Sequence, residues 1–295
     1  MFRKAEKKKS KLRLALCGVA GSGKTYSALK IAKGLGGKVA MIDTESGSGD
    51  LYSDQFEYDI VQLHPPFSPD RYVKIIHEAE KQGYDVLIID SLSHAWAGEG
   101  GVLDIVDKAA RASASRNSYT AWKDATPEQN KLIDAILTSK IHIITTMRSK
   151  SSYEMVDDKG KKKPVKIGLS PIQREGVDYE FTVVLDISID SHIASASKDR
   201  TGIFDSQYFK ITEETGEKLI DWLNSGVDLQ EKANLIIEQI KNSHSIDELS
   251  AIFHDYCKSK NEVIFQDEDI RNKIIDEKDK RKSEILIHQV EDEKI

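Results

Sequence analysis

Short apolar runs alternate with longer amphipathic segments through the first 225 residues of the chain. The apolar runs predict strands at residues 12–17, 38–42, 86–89 and 141–145. The run at 86–89 is apolar at every position, which is typical of a strand covered on both faces. The amphipathic segments predict helices at residues 24–35, 69–82, 102–110, 122–137 and 213–223. This alternation predicts an α/β fold, with a mostly parallel sheet flanked by helices.

Three later segments depart from the alternation. Residues 149–176 hold seven basic and four acidic side chains among glycines and prolines, and predict a long loop that is functional or mobile. Residues 179–190 and 192–197 predict an antiparallel pair of strands. After Gly226 the pattern becomes one of amphipathic helices, beginning at residues 229–240.

Charge divides the chain at the same place. The whole chain carries a net −6, but residues 1–13 hold seven basic groups and one acid, whereas residues 227–295 hold 11 basic and 17 acidic groups. We therefore predict an α/β core with a basic N-terminal tail at 1–226, and an acidic helical appendage at 227–295. The hydrophobic content of 39% is enough for a core.

The composition also restricts the compartment. No run approaches the roughly 18 apolar residues that a membrane helix needs, so we expect no membrane partner. The basic N-terminus lacks the apolar stretch of a secretory signal. Two cysteines make no disulfide framework, which favours a cytoplasmic location.

A phosphate-binding motif stands between the first predicted strand and helix. Residues 18–25, GVAGSGKT, fit G-x-x-x-x-G-K-[ST] in the strand–turn–helix context that the motif requires. Lys24 is expected to contact the β- and γ-phosphates of ATP as a catalytic cation, and Thr25 to ligate Mg²⁺. The residues expected to bind the nucleotide are Gly18, Gly21, Ser22, Gly23, Lys24, Thr25 and Tyr26.

Two carboxylates complete the predicted site. Asp90 ends the apolar strand at 86–89, where ligands of parallel sheets bind, and is the second expected Mg²⁺ ligand. Ser91 follows it, so the glutamate that many P-loop ATPases place there is missing. Glu45 follows the second strand and becomes the candidate general base if that strand neighbours the P-loop strand. An ordinary surface carboxylate is the alternative interpretation.

The segment Ile42-Asp43-Thr44-Glu45 resembles the RecA-type recombinases, in which this glutamate is catalytic. Met147-Arg148 stands at that family's γ-phosphate sensor position, and the following loop stands where the family binds DNA. The bacterial RecA sensor is a glutamine, so whether Met147 or Arg148 takes this role stays open. The segment 197–201 matches the place where RecA-like rings and filaments send basic residues into a neighbour's ATP site. The resemblance therefore implies catalytic roles for Lys198 and Arg200, and a homo-oligomer.

A closer resemblance covers residues 8–225. The segments SKLRLALCG, DVLIIDSLSHAWAGEGGVLD and HIASASKDRTGIF are similar to RecA-like "AAA" ATPases of phages and prophages, which are related to ATP-dependent single-strand annealing and recombination proteins. The resemblance implies a RecA-like core, Mg²⁺-dependent ATP hydrolysis and action on single-stranded DNA. The last 70 residues carry no motif of that family.

The nucleic-acid contact has one main candidate. Lysines in the predicted loop could follow a phosphate backbone, although such a charge run is also typical of a solvated loop. The candidate DNA-binding residues are Lys159, Lys161, Lys162, Lys163, Lys166 and Arg174. His94 could relay nucleotide state and Trp96 could stack on a base, or both could simply pack locally.

Three other functions stay open at this point. One is a nucleotide-dependent scaffold that binds a protein partner through residues 227–295 without contacting DNA. Another is a DNA translocation or packaging motor. A small-molecule kinase is disfavoured, because its lid would need several arginines and residues 149–176 hold only Arg174.

Overall fold

The computed structural model describes residues 4–112, 118–158, 161–258 and 263–292. The strands in these ranges are β1 (Arg13–Gly18), β2 (Val39–Asp43), β3 (Asp59–Gln62), β4 (Val86–Asp90), β5 (His142–Asp158), β6 (Lys161–Pro171), β7 (Val183–Ile187), β8 (Ile193–Asp199) and β9 (Tyr208–Lys210). The helices are α1 (Lys24–Leu35), α2 (Pro69–Lys81), α3 (Ser93–Ala97), α4 (Val102–Ala112), α5 (Ser118–Thr138), α6 (Glu213–Asn224), α7 (Leu229–Asn242), α8 (Ile246–Lys258), α9 (Val263–Gln266) and α10 (Glu268–Asp292).

The strands form a mixed sheet in the order β3-β2-β4-β5-β1-β7-β8-β9. The first six strands of this order run parallel, and β8 and β9 are added antiparallel. The predicted mostly parallel sheet is confirmed, as is the antiparallel pair formed by β7 and β8. This is the α/β architecture of a P-loop NTPase core.

The sequence leaves open whether the second strand neighbours the P-loop strand. Strand β2 does not lie beside the P-loop strand β1, because β4 and β5 lie between them. The parallel strands nevertheless end at a common edge, where Asp43 is the register partner of Asp90 and Gly18 is the register partner of Arg148. Residues that follow β1, β2, β4 and β5 therefore meet at this carboxyl edge without β1 and β2 being adjacent.

The predicted loop at 149–176 is mostly a hairpin. Strand β5 continues to Asp158 and pairs antiparallel with β6, from the pair Ser149–Pro171 to the pair Asp158–Lys161, with one bulge. The physical reason is visible in the sequence, because Val165, Ile167 and Leu169 alternate with Lys166 and Gly168, which is the period of a strand. The prediction of a loop follows instead from the density of lysines in this segment.

Helices α2 and α5 cover one face of the sheet. Tyr72 and Ile76 of α2 and Leu132 of α5 are buried in one cluster with strand residues such as Leu87 and Ile143. Helix α1 contacts β1, β4 and β5.

Helix α1 is held by a close approach of α6. A Cβ atom on Gly34 would lie 1.9 Å from the carbonyl oxygen of Glu213, and one on Gly216 would lie 2.2 Å from that of Ile31. Glycine at both positions lets the two helices touch, which fixes the helix that follows the phosphate-binding loop.

The chain divides into two compact units. One is Lys11–Trp222, and the other joins the described residues before Lys11 to those from Leu223 onward. The basic N-terminal segment thus groups with the C-terminal helices, not with the core to which it was assigned from sequence.

Within the second unit, Lys8 forms a parallel bridge with Val227. Val227 N–H donates to the Lys7 carbonyl at 2.8 Å, and Asp228 caps α7 while pairing with Lys9 at 3.0 Å. Helices α7 to α10 share an apolar core that includes Ile240 and Ile274. Among the helices of the described ranges, none has the length and apolar character to cross a bilayer.

Candidate functional site

The phosphate-binding motif forms the turn between β1 and α1. Gly21 and Gly23 adopt φ values of +80° and +86°, a region that favours glycine. A Cβ atom on Gly18 would lie 2.9 Å from the carbonyl oxygen of Ile187. Gly23 precedes α1 without any side-chain cap, so the first N–H groups of this helix point out of the turn without a capping partner. The turn therefore depends on its glycines and presents backbone donors.

The side chains of this turn fit a phosphate group. The Ser22 hydroxyl is buried and has no hydrogen-bond partner among the described residues. Lys24 Nζ donates to the Val19 carbonyl at 2.9 Å, which folds the ammonium group over the turn. Burial lowers the pKa of Lys24, although the charges of Asp90 and Glu45 oppose this. An unmatched hydroxyl, an ammonium group and a helix N-terminus together make a site for an anion.

Asp90 is the buried carboxylate of the site, only 2% exposed at the end of β4. Its Oδ2 accepts a hydrogen bond from Thr25 Oγ1 at 2.6 Å, and its Oδ1 accepts one from Thr146 Oγ1. Burial raises the pKa of Asp90, and the two hydroxyls only partly offset this. A hydroxyl and a carboxylate at this distance are oxygen ligands of the kind that Mg²⁺ prefers.

Thr25 and Asp90 together fit the predicted Mg²⁺ site. Within the described ranges no cluster of three or more His, Cys, Asp or Glu side chains could hold a metal. Two protein oxygens, with substrate phosphates and water as the remaining ligands, are the usual protein share of a magnesium site in this kind of fold.

Glu45 lies at the same edge, in a turn organised by Asp43. The Asp43 carboxylate accepts from Glu45 N at 2.6 Å and from Gly47 N at 2.7 Å. The Glu45 side chain is bound by Arg148, whose Nε donates to Oε1 at 2.9 Å and whose Nη2 donates to Oε2. Burial opposes ionisation of Glu45, but the hydrogen bond and charge of Arg148 outweigh it and lower the pKa of this carboxyl.

Of the two sensor candidates, Arg148 faces the site and Met147 does not. The Met147 side chain is fully buried in the core cluster between the sheet and helices α2 and α5. Arg148 is the exposed residue that meets Glu45. The hypothesis of a sensor at this position therefore rests on Arg148 alone.

Sequence reasoning missed two threonines. Thr146 binds Asp90, as described above. Thr44 Oγ1 accepts from Ser91 N at 2.8 Å and forms a hydrogen bond of 2.6 Å with His94 Nδ1. Both threonines could be selected from the sequence, because each is a polar residue at the end of an apolar strand. The sequence-based prediction selected only the carboxylates at such positions.

The residues after Asp90 pack locally. The His94 ring stacks on Phe67 with centroids 4.9 Å apart, and Trp96 stacks on Trp122 at 5.8 Å. Burial and the charge of Arg148 lower the pKa of His94. The packing of Trp96 favours a structural role over stacking on a base.

Lys198 and Arg200 lie together but are turned to other partners. Lys198 Nζ donates to the carbonyls of Asp178, at 3.0 Å, and Tyr179, and Arg200 Nη2 donates to the Tyr179 carbonyl at 2.9 Å. Tyr26, also expected at the nucleotide, stands in an aromatic cluster with its ring centroid 5.6 Å from that of Tyr52.

The candidate DNA-binding lysines follow β6. Lys159 lies outside the described residues. Lys161 and Lys162 occupy register positions opposite Asp158 and Asp157, whereas Lys163 and Lys166 stand opposite Val156 and Tyr153. Arg174 is separate from the hairpin, because it donates to Asn130 on α5 at 3.5 Å.

Comparison with known proteins gives one family. A family model described as an AAA domain matches residues 10–225, well over half of the chain. No curated protein matches the sequence. The matched segment contains the phosphate-binding turn, both carboxylates, Arg148 and the hairpin, and it ends before α7.

Proposed function

Because this chain belongs to the AAA domain family, whose members are nucleotide-binding ATPases, we propose that it hydrolyses ATP at the carboxyl edge of its sheet. The observation that carries this proposal is the pair formed by the Thr25 hydroxyl and the buried Asp90 carboxylate, 2.6 Å apart beside a turn with unmatched donors. Thr25 and Asp90 would hold Mg²⁺. When bound, this ion supplies charge neutralisation at the phosphates.

The other residues divide the remaining work. The turn and Lys24 would bind the phosphates and stabilise the charge that develops on them. Glu45 would orient the attacking water and accept its proton. Asp43 supports this role, because its two hydrogen bonds fix the backbone from which Glu45 projects.

We further propose that the bound nucleotide controls an interaction with single-stranded DNA, in phage recombination, annealing or repair. Strand β5 supports this, because it leaves the site at Arg148 and continues directly into the lysine-containing hairpin. Lys163 and Lys166 are the stronger candidates, since the register partners of Lys161 and Lys162 are acidic and their own are not.

A shared site between subunits completes the proposal. Lys198 and Arg200 would turn from their backbone partners into the nucleotide site of a neighbouring copy, so that hydrolysis depends on assembly. ATP bound at such an interface would stabilise the oligomer, and hydrolysis would release it. A Lys198→Ala, Arg200→Ala double variant should lose the dependence of specific activity on protein concentration.

The test measures ATP hydrolysis with and without single-stranded DNA, for the wild type and for Glu45→Gln, together with binding of a fluorescent oligonucleotide at two salt concentrations. We expect turnover stimulated by DNA and lost in Glu45→Gln, while salt-sensitive binding persists. Lys163→Gln with Lys166→Gln should weaken binding more than Lys161→Gln with Lys162→Gln. Turnover that ignores DNA, with no binding at low salt, would contradict the DNA proposal.

One observation favours a second candidate. The C-terminal helices carry a groove of about 850 Å³ lined by apolar side chains of α7 and α8, including the exposed Leu235 and the partly buried Ile252, together with Glu248 and Asp255. Such a groove suits a protein partner with a basic amphipathic helix, as in a nucleotide-dependent scaffold. Deleting residues 229–295 would abolish partner capture in that case and leave ATP turnover intact. DNA translocation driven by ATP would instead identify a motor.

A further inference from the structure

The side chain of Arg148 occupies both oxygens of the Glu45 carboxylate. Nε donates to Oε1 at 2.9 Å and Nη2 donates to Oε2, which is the bidentate geometry of the strongest arginine–carboxylate pairs. The contact is the only ion pair that Glu45 makes within the described residues. The Glu45 side chain is 24% exposed, so water screens the pair only partly.

The backbone holds Arg148 in this place from two sides. Arg148 N–H donates to Ser93 Oγ at 2.9 Å, and its carbonyl accepts from Ile172 N at 2.7 Å. Arg148 is also the register partner of Gly18, the first residue of the phosphate-binding turn. The guanidinium group therefore projects from a fixed point beside the site, and its hold on Glu45 is a property of the folded core.

This pairing opposes the chemistry proposed for Glu45. A general base needs a free lone pair for the proton of the attacking water, and its basicity must suit the working pH. Here each oxygen already accepts a hydrogen bond from the Arg148 guanidinium, whose charge disfavours a proton at the remaining lone pairs, and Arg148 lowers the pKa of the carboxyl despite its partial burial. The Glu45 carboxylate is therefore a weak base while Arg148 is bound to it, and its oxygens contact a cation where the attacking water would have to bind.

Lys24 offers a parallel in the same site. Its ammonium group, expected to contact phosphate, is occupied by the Val19 carbonyl at 2.9 Å. Lys24 and Arg148 thus both have protein acceptors at the carboxyl edge. If Lys24 moves away, it leaves only the neutral Val19 carbonyl without this donor. If Arg148 moves away, it frees the Glu45 carboxylate, the proposed general base.

We propose that Arg148 is a positioning residue that withholds the Glu45 carboxylate, and that hydrolysis requires Arg148 to leave it. The chain then rests in an inhibited state, and turnover is limited by the fraction of molecules in which this ion pair is open. The inference rests on the proposed role of Glu45 as general base. The inference predicts that removing the Arg148 cation from the site increases the basal rate of ATP hydrolysis.

The experiment uses the full chain at saturating Mg-ATP without nucleic acid. Arg148→Met keeps the length of the side chain and removes the guanidinium. The value of kcat should rise about tenfold, which corresponds to an ion pair formed in about 90% of wild-type molecules. KM should change less than about twofold. Arg148→Lys keeps the charge but loses the fork, and should give an intermediate kcat. Lys150→Met removes a nearby exposed cation of the same strand and should leave kcat unchanged.

Glu45→Gln and the double variant separate the possible failures. If Glu45→Gln turns over like the wild type, the proposed role of Glu45 is wrong and this inference falls with it. If Glu45→Gln is inactive and Arg148→Met is unchanged or slower, only the inference is overturned. The Glu45→Gln, Arg148→Met double variant must be as slow as Glu45→Gln, because a gain in that background would come from another cause. Thermal unfolding of each variant confirms that folded proteins are compared.

Discussion

The two edges of the parallel sheet bury charged side chains in opposite ways. At the amino edge, Arg13 is 6% exposed, and its guanidinium donates to backbone carbonyls around the end of α5. The acceptors are the carbonyls of Leu12, Leu137, Ser139 and Ile141. At the carboxyl edge, Asp90 is equally buried but receives only two hydroxyl groups, and the nearby Ser22 hydroxyl has no partner among the described residues.

This difference separates a structural charge from a functional one. A buried ion costs several kcal/mol of desolvation, and Arg13 offsets this within the chain by satisfying carbonyls that α5 leaves open at its end. Burial lowers the pKa of Arg13 to about 10, so it stays charged at neutral pH. Asp90 is left with unused acceptor capacity. We infer that the protein itself supplies the partners of the buried charge at the amino edge, and that a ligand supplies the missing partners at the carboxyl edge.

Asp90→Asn should give the largest effect on the functional edge. Loss of the metal-holding carboxylate should reduce ATP turnover at least about 10³-fold. The free energy of unfolding without nucleotide should stay the same or rise, because the variant removes a charge that burial disfavours. Asp85 begins the same stretch at the opposite edge and accepts from Lys38 N at 2.8 Å, so Asp85→Asn is the matched control and should keep full turnover. A strongly destabilised Asp90→Asn would erase the contrast between the edges.

Arg13→Met should give the largest effect on the structural edge. The variant leaves buried carbonyls unsatisfied, and the free energy of unfolding should fall by about 3 kcal/mol. The kcat per folded molecule should not change, since Arg13 is remote from the site along the strand. Chemical denaturation and active-site titration measure the two quantities. A loss of kcat at unchanged stability would reverse the assignment of this edge.

His142 makes the amino edge sensitive to pH. Its Nδ1 accepts from Leu12 N at 3.0 Å, and burial, with the charges of Lys11 and Arg13, lowers its pKa to about 4. Between the ordinary value of about 6.5 and 4, the unfolded chain binds more protons than the folded one. The free energy of unfolding should therefore fall by about 3 kcal/mol as pH drops through this window. Denaturation of His142→Asn, which cannot take up this proton, should show a correspondingly flatter pH dependence than the wild type.

Thr146→Val should give the smallest effect of this series. It removes one hydroxyl from Asp90, and the affinity of the nucleotide-bound protein for Mg²⁺ should fall about tenfold, as for other groups that orient a metal ligand. Thr145, whose hydroxyl bonds the Leu14 carbonyl at 3.4 Å, is the neighbouring control. Thr145→Val should leave Mg²⁺ affinity unchanged. Equal losses in the two variants would show a packing effect of the strand and not a role at Asp90.

The fold was largely predictable because its signals are local. Helix α1 begins and ends where the sequence predicts, since the phosphate-binding turn starts it and Gly36 ends it. The strands β1 and β2 are each shifted by one residue from prediction, and β4 extends one residue further. Strand β3 was missed, because Asp59–Gln62 is short, partly exposed and polar at both ends. The hairpin was missed because charge was given more weight than alternation.

The site was predictable as a set of residues but not as a set of contacts. Gly18, Thr25, Asp90 and Glu45 could be selected from motif and strand ends. Which of them touch each other could not, because the order of strands in the sheet is a non-local property. Sequence reasoning left open whether β2 neighbours β1, and the structure places two strands between them.

The sequence by itself determined the phosphate-binding turn, the alternation of strands and helices, and the change of character near residue 226. These follow from residue type and short spacing, which act through local backbone preferences and the period of burial. Only the tertiary structure decided that Arg148 forms an ion pair with Glu45, that Thr146 donates a hydrogen bond to Asp90 and that the N-terminal segment pairs with Val227. Each of these contacts joins residues more than fifty positions apart, so none can be derived from local sequence, and the first two depend on the packing of the whole sheet.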